Sequence, residues 1–339
     1  MKKLFPIIIC VLLISSCGKR NDLSITSPNS KLKVIFGLDK KQSPYYIVKR
    51  ETKIVIDTSY LGFEFKNAQP LKNNLTIVRT QKSTFNETWE MPWGEQEQVI
   101  NNYNELKIDL KESVASSREF SVVFKVYNDG LGFRYKFPKQ DGWSEALITE
   151  ENTQFNLTED YKTFWTPGDW DIYEHLYNTT KLSEINALQF VGHKNLAQTS
   201  IPNNAVNTPV TLVGKNGLHL SFHEAALVDY SGMTLSVDTK KLDFNSTLVG
   251  SKNTDYKVKR SLPFDTPWRT IQITENAPDL IESNLIVNLN EPNKLGGVSW
   301  FKPMKYTGVW WEMHLGKSSW DYGMTKDKNN NWIDSGKAH

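Results

Sequence analysis

Three carboxylates lie close together in one aromatic stretch of the chain, between Phe164 and Tyr177. Asp169 and Asp171 follow a Pro-Gly turn, and Glu174 comes three residues after Asp171. Calcium and other hard cations are bound by several carboxylate and carbonyl oxygens at once. A single loop seldom completes such a shell, so this spacing alone favours a solvated acidic loop over a metal site. A metal site here requires ligands from elsewhere in the fold.

A second group of candidate residues lies near the end of the sequence, where Trp310 and Trp311 precede Glu312. A proline-containing linker leads into this apolar segment. The pattern is typical of the first strand of a (β/α)8 barrel, in which residues at the carboxyl ends of the strands build the active site. Alternation along a strand directs one tryptophan into the barrel wall and the other outward. We predict that Trp310 lines a sugar site.

Composition narrows the classes of partner. Aromatic residues make up 12% of the 339 residues, with 11 Trp and 13 Tyr. Sugar-binding proteins use such rings for stacking on pyranoses, although β-rich cores also favour aromatics. The net charge is only +2, and basic residues form no block along the chain. Both observations argue against a nucleic-acid partner. His219 and His223 lie on the polar face of a predicted strand and not in a helical pattern, which argues against zinc. The chain also lacks the serine-nucleophile elbow and the Walker and dinucleotide fingerprints.

The N-terminal segment is predicted to be a lipoprotein export signal. Lys2 and Lys3 precede an apolar run over residues 4–14, which is too short to span a bilayer as a stable helix. Small residues then precede Cys17, in the pattern of a bacterial lipobox. We therefore predict that residues 1–17 direct export and that a lipid on Cys17 anchors the protein to the outer membrane, facing the periplasm. The alternative is an ordinary signal peptide with an incidental cysteine.

Alternating apolar and polar residues predict β-strands in several segments. The pattern is clear in residues 106–111, 120–127 and 218–223. Period-two alternation marks strands with one face toward a core. Turn sequences at 128–130 and 215–217 each end in glycine, as expected where φ is positive. Many such strands with few helical periods predict a mainly β fold, a large antiparallel β-sandwich.

Composition shifts also predict a domain boundary. The sandwich is expected over residues 24–295, because a polar segment containing Pro292 follows its last alternating stretch. Residues 296–304 begin with two glycines and are predicted to form a linker. Residues 305–339 are then the incomplete start of a (β/α)8 barrel.

Six segments of the chain carry a resemblance to one enzyme family. In chain order they are TFNETW (84–89), PWGE (92–95), NDGLGFRY (128–135), HEAALVDY (223–230), TPWRT (266–270) and YTGVWW (306–311). Together they resemble glycoside hydrolase family 97, in particular its α-glucosidase branch from starch-utilisation systems. The resemblance runs from about Ser24 to the C-terminus.

This resemblance implies a three-part, calcium-dependent enzyme that cleaves α-glycosidic bonds. Its parts are an N-terminal β-super-sandwich, a catalytic (β/α)8 barrel and a small C-terminal β-domain. The family's catalytic carboxylates lie on later barrel strands, so we expect them beyond His339. One family calcium ligand, a glutamate after the Pro-Gly-Asp turn, matches Glu174. A family loop that touches sugar corresponds to the segment containing Asn195.

The leading prediction is therefore that this chain is the N-terminal part of an inverting hydrolase. Its substrates would be α-linked oligosaccharides, namely maltooligosaccharides and starch fragments. A retaining α-galactosidase of the same family is the alternative within the class. A non-catalytic carbohydrate-binding sandwich is the alternative of another class. The 339-residue chain alone is expected to be inactive, because it lacks the catalytic acid and base.

Overall fold

The structure, a computed structural model, describes residues 23–192, 199–306, 310–315 and 324–334. The chain divides into two compact units. The first comprises the described residues from 23 to 91 and from 96 to 291, and the second comprises residues 92–95 and the described residues from 292 onward. No helix in the described part of the chain is long and apolar enough to cross a membrane.

Strands dominate the first unit, and the second contains two short ones. In chain order they are β1 (Ser24–Thr26), β2 (Leu32–Leu38), β3 (Pro44–Arg50), β4 (Lys53–Tyr60), β5 (Phe63–Phe65), β6 (Leu75–Glu90), β7 (Gln98–Glu112), β8 (Glu119–Tyr127), β9 (Gly130–Phe137), β10 (Glu145–Glu151), β11 (Gln154–Leu157), β12 (Lys162–Trp165), β13 (Asn178–Lys181), β14 (Ala205–Val206), β15 (Val210–Val213), β16 (His219–Ala225), β17 (Met233–Asp238), β18 (Asp243–Leu248), β19 (Val258–Ser261), β20 (Phe264–Asp265), β21 (Trp268–Thr274), β22 (Met324–Lys326) and β23 (Trp332–Asp334). The helices are short: α1 (Ala277–Glu282), α2 (Leu285–Asn288) and α3 (Trp310–His314), with 3₁₀ turns at Leu182–Glu184 and Ala187–Phe190.

Antiparallel pairing organises the described residues of the first unit into three sheets. The eight-stranded sheet has the order β1-β2-β3-β4-β11-β18-β17-β14, and the ten-stranded sheet has the order β13-β12-β15-β16-β21-β9-β8-β7-β6, with β20 paired to β9. A small sheet has the order β19-β10-β5. Aromatic side chains from the two large sheets meet between them, as in the contacts of Phe36 and Tyr46 with Phe124 and of Phe155 with Phe222. The predicted antiparallel β-sandwich is therefore confirmed.

The turns that join paired strands match the sequence prediction. β8 and β9 are joined by a turn that ends at Gly130, whose φ is +157°. A Cβ on Gly130 would lie 2.4 Å from the carbonyl oxygen of Ile271, so the neighbouring strand leaves no room for a side chain. Gly217 has a φ of +82° in the turn between β15 and β16, a conformation that glycine adopts without strain.

A fully buried arginine joins the sheets of the first unit. Arg269 on β21 faces Glu224 on β16 in the strand register, and its Nη1 donates to Glu224 Oε2 at 2.5 Å. Its Nε and Nη2 donate to the two carboxylate oxygens of Glu151, both at 2.8 Å. Glu151 ends β10 in the small sheet. The guanidinium therefore connects the ten-stranded sheet to the small sheet through a bidentate ion pair.

Further hydrogen bonds complete this buried network. Tyr230 donates its hydroxyl to Glu151 Oε2 at 3.2 Å, and Thr153 donates to Glu151 Oε1 at 2.8 Å. The backbone N–H of Met233 donates to the second oxygen of Glu224 at 3.0 Å. Burial raises the pKa of Glu224 and outweighs the opposing effect of Arg269. Two carboxylates thus share one cation in a site that is closed to water.

In the second unit, the structure differs from the sequence prediction at Trp310 and Trp311. Trp310 and Trp311 were expected at the end of a barrel strand, but residues 310–314 form the one-turn helix α3. The backbone N–H of Leu315 donates to the carbonyl of Trp311 at 2.9 Å. A lone strand leaves its backbone groups unpaired, whereas a helical turn satisfies them locally. Among the described residues of this unit, the only paired strands are β22 and β23, which pair with each other.

We predict that Arg269→Met lowers the free energy of unfolding by about 3–5 kcal/mol, because two buried carboxylates lose their shared cation. Urea unfolding followed by tryptophan fluorescence measures this loss. The matched control is Arg79→Met, which removes a largely exposed ion pair with Asp109 and should cost less than about 1 kcal/mol. Equal losses in the two variants would contradict the assignment of Arg269 as the central cation.

Candidate functional site

The loop that carries Glu174 connects β12 to β13 at the edge of the ten-stranded sheet. It leaves β12 through the Pro-Gly turn predicted from the sequence, and Pro167 forms an isolated bridge with Val206. The N–H of Gly168 donates to the carbonyl of Ala205 at 2.8 Å. A Cβ on Gly168 would lie 3.0 Å from that carbonyl and 2.8 Å from Ile201. Glycine is therefore required for the close approach that fixes where the loop starts.

Asp169 is the anchor of this loop. Its buried Oδ1 accepts hydrogen bonds from the backbone N–H groups of Asp171, Ile172 and Thr199, at 2.8, 3.2 and 3.2 Å. Its Oδ2 lies 3.0 Å from the ring nitrogen Nε2 of His175. Burial opposes ionisation of Asp169, but these hydrogen bonds together outweigh it and lower the pKa of the carboxyl.

Further hydrogen bonds connect this loop to the segments that contain Thr199 and Asn207. The backbone N–H of Asp169 donates to Asn207 Oδ1 at 3.0 Å, and the amide of Asn207 donates to the carbonyl of Ile172. Trp170 donates its backbone N–H to the carbonyl of Thr199 at 3.1 Å. The loop is therefore held at both ends of its acidic segment by buried polar groups. Its central residues Asp171, Tyr173 and Glu174 are exposed.

Glu174 is free to bind a ligand. Its side chain is exposed and has no hydrogen-bond or ion-pair partner among the described residues. Asp169 cannot serve beside it, because every contact of that carboxylate is internal to the loop and its surroundings. Asp171 accepts a hydrogen bond from the hydroxyl of Thr199. Of the three carboxylates singled out in the sequence, one is structural and Glu174 is the available donor.

The described residues do not form a complete calcium shell around Glu174. They contain no group of three or more His, Cys, Asp or Glu side chains arranged to hold a metal ion. Calcium takes six to eight oxygen ligands. A calcium site that includes Glu174 would therefore need further oxygen ligands, and no cluster of acidic or histidine side chains among the described residues supplies them.

Exposed apolar side chains surround Glu174 in the loop. Tyr173, Leu176 and Tyr177 all project into solvent, and Leu176 is 87% exposed. Contiguous exposed apolar surface usually marks an interaction site. The loop thus presents one free carboxylate within an apolar surface.

Other residues predicted from the sequence lie elsewhere. Asn195 and Cys17 are outside the described residues. Trp310 belongs to the second unit, where its side chain is 69% exposed.

Sequence reasoning missed the anchoring role of Asp169, although a histidine six residues after the aspartate of a Pro-Gly-Asp turn was a visible signal. It also missed that the segments 223–230 and 266–270 meet through the ion pair of Glu224 and Arg269.

We predict that Asp169→Asn lowers the free energy of unfolding by about 1–3 kcal/mol at pH 7, because the substitution weakens buried hydrogen bonds. Since the pKa of Asp169 is lower in the folded state, its ionised form contributes stability above the unfolded pKa of about 3.9. This contribution is lost as the pH falls through the folded pKa. The difference from wild type should therefore shrink below about pH 4.

Urea unfolding at pH 7 and at pH 3 measures both parts of this prediction. Asp141→Asn is the matched control, because Asp141 is exposed and has no hydrogen-bond or ion-pair partner among the described residues. A difference between Asp169→Asn and wild type that persists unchanged at pH 3 would exclude ionisation as its source.

Comparison with known proteins shows which family has this architecture. Residues 25–292 match the family model described as the N-terminal domain of glycosyl hydrolase 97. The chain is 39% identical to a glycoside hydrolase family 97 enzyme from Pseudoalteromonas sp. strain K8, solved in complex with acarbose. The match covers 88% of this chain and 42% of that enzyme, with a TM-score of 0.77. A variant of the same enzyme in complex with panose gives the same values.

Two further relatives are more distant. The retaining α-galactosidase of Bacteroides thetaiotaomicron is 24% identical over 92% of this chain and 47% of its own length. A β-arabinopyranosidase structure is 21% identical with a TM-score of 0.64, which is a likeness of fold alone. The chain spans less than half the length of each of these relatives. With most of its residues matched to the family model, the chain belongs to glycoside hydrolase family 97.

Proposed function

We propose that this chain is the N-terminal part of a calcium-dependent enzyme that hydrolyses α-glucosidic bonds in maltooligosaccharides, with inversion at the anomeric carbon. The observation that carries the proposal is the 39% identity, over 88% of the chain, to the Pseudoalteromonas enzyme solved with acarbose. Panose, bound by a variant of that enzyme, is a trisaccharide of α-linked glucose. Identity to the α-galactosidase is lower, at 24%.

A retaining α-galactosidase is the second candidate. It is supported by the curated relative of that activity, whose match covers 92% of this chain. Inverting and retaining glycosidases differ in the separation of their two catalytic carboxyls, which is wider where a water molecule must fit between carboxylate and sugar. We assign no catalytic acid or base within this chain.

In this proposal the loop anchored by Asp169 supplies one oxygen donor, Glu174, to a calcium ion. A bound calcium ion orients oxygen ligands and favours negative charge nearby. The contribution of this chain is positional: Asp169 fixes the backbone, so the Glu174 carboxylate is presented without a competing internal partner. The apolar side chains beside Glu174 suit a surface that is covered by another domain.

The experiment that tests the function is a comparison of substrates with the complete enzyme encoded by the gene. We expect kcat/KM for p-nitrophenyl α-glucoside to exceed that for p-nitrophenyl α-galactoside by at least about tenfold, because a site built for one hydroxyl configuration leaves polar groups unpaired with the other. NMR of the first product should show the β-anomer of glucose. A preference for the galactoside, or release of the α-anomer, would overturn the assignment.

The hydrolysis assay also tests the predicted sugar contacts and the predicted inactivity of the chain alone. Asn195→Ala and Trp310→Ala are expected to raise KM for maltooligosaccharides if these side chains contact sugar. The 339-residue chain alone is expected to show no hydrolysis.

The proposed lipid on Cys17 is tested by palmitate labelling of cells, which should fail with Cys17→Ser.

For the calcium site, we predict that Glu174→Gln weakens calcium binding by the complete enzyme at least about tenfold, because a neutral amide replaces one charged oxygen ligand. Calorimetric titration of calcium into the chelator-treated enzyme measures the change. Glu184→Gln is a matched control, since Glu184 follows in the same region and its carboxylate is already occupied by the N–H of Lys181. Wild-type calcium affinity in Glu174→Gln would refute the role of Glu174.

A further inference from the structure

The eight-stranded sheet carries a groove on the opposite layer of the sandwich from the Glu174 loop. Its volume is about 400 Å³. Gln154 on β11 and Asn245 on β18 are cross-strand partners in its floor. The adjacent residues Phe155 and Phe244 are buried in the core. Since successive side chains of a strand point to opposite faces, the two amides lie on the outer face of the sheet.

The walls of the groove are fixed by backbone hydrogen bonds. The turn between β2 and β3 and the segment that leads into β6 both line the groove and are hydrogen-bonded to each other. The N–H groups of Asn74 and Leu75 donate to the carbonyls of Lys41 and Gln42, both at 3.1 Å. Asp39 caps the turn by accepting the N–H of Lys41 at 2.8 Å. A ligand entering the groove meets a preformed site and need not order these segments.

The floor offers both hydrogen-bond donors and acceptors. Gln154 uses its Oε1 to accept the backbone N–H of Tyr60 at 3.2 Å, so its amide nitrogen has no partner among the described residues. Asn245 uses its Nδ2 to donate to Asp243 at 2.9 Å, which leaves its amide oxygen as an acceptor. A sugar hydroxyl both donates and accepts, and this mixed set of groups matches it.

An aromatic ring completes the groove. Tyr60 is 37% exposed, and its ring is held edge-to-face by Tyr45 with centroids 6.3 Å apart. A tyrosine ring combines an apolar face with a polar edge and loses little conformational entropy on binding. Such a ring beside paired amides is suited to the apolar C–H face of a pyranose.

The charges in the groove favour a neutral ligand. Lys72 forms an ion pair with Glu64, with a distance of 2.5 Å between Nζ and Oε1. Lys41 lies in the turn capped by the Asp39 carboxylate. The ammonium of Lys72 is thus paired with an acid, and the carboxylate of Asp39 lies in the same turn as Lys41. An anionic ligand would gain little net attraction in this environment, whereas hydroxyl groups can use the amides and the paired charges alike.

We propose that this groove binds a neutral oligosaccharide, with a sugar ring on Tyr60 and hydroxyl groups on Gln154 and Asn245. It is an accessory site that lies apart from the Glu174 loop. The proposal does not depend on whether the enzyme cleaves glucosides or galactosides. It adds a non-catalytic contact by which the N-terminal domain holds a carbohydrate chain.

The test is calorimetric titration of the 339-residue chain with maltoheptaose, stachyose and an oligogalacturonate of similar length. We expect at least one neutral oligosaccharide to bind with a Kd of about 1 mM or tighter, and the acidic one to bind at least about tenfold more weakly. Tyr60→Ala and Gln154→Ala should each weaken the neutral complex at least about fivefold. Tyr60→Phe, which keeps the ring, should stay within about twofold of wild type.

Two controls locate the site. Gln81→Ala removes an exposed glutamine from β6, and Glu174→Gln alters the calcium loop; neither should change the affinity. Circular dichroism confirms that each variant is folded. Failure of both neutral oligosaccharides to bind would overturn the proposal, as would equal affinity in wild type, Tyr60→Ala and Gln154→Ala or equal binding of the acidic oligosaccharide. None of these outcomes bears on the hydrolysis assay, which is carried out with the complete enzyme.

Discussion

The buried ion pair of Arg269 with Glu151 and Glu224 is the interaction on which the sandwich depends. Removing these charges from water costs several kcal/mol for each ion, so the arrangement is stable only when every polar group finds a partner. The planar guanidinium meets this condition with a bidentate contact to Glu151 and a single contact to Glu224. Glu151 stands where the chain leaves the small sheet, and Thr153, two residues later, donates its hydroxyl to Glu151 and accepts the hydroxyl of Tyr135. One cation therefore fixes the point at which the chain passes between sheets.

The same physical rule operates at the edge of the large sheet. Asp169 is buried, and donors from several parts of the chain satisfy its carboxylate. A buried carboxylate with all its hydrogen bonds formed can hold a loop in one conformation, because any rearrangement would leave a buried charge without partners. This leaves Glu174 exposed on a rigid support. The domain thus separates two roles within one acidic segment: one carboxylate maintains the backbone, and another remains available to a ligand.

Much of the fold was predictable from local patterns, and the site was predictable only in part. Alternation in residues 106–111 and 120–127 predicted β7 and β8, because a strand with one buried face must alternate. The expected strand end at Trp310 was wrong, since strand pairing depends on neighbours that no local pattern specifies. Spacing alone also treated Asp169 and Glu174 as equivalent acids. Their difference arises from the burial of Asp169 and its hydrogen bonds, one of which comes from Thr199, a residue distant in sequence and adjacent in space.

By itself the sequence determined the class of the fold, the positions of its turns and the family, because periodicity, glycine conformations and ordered motifs are local properties. Only the tertiary structure decided which polar residues are structural. It paired Glu224 with Arg269 across β16 and β21, and it aligned Gln154 and Asn245 in the floor of one groove. The physical reason is that burial and hydrogen-bond satisfaction depend on groups brought together from distant parts of the chain. Residue types and spacing along the sequence contain no record of those distances.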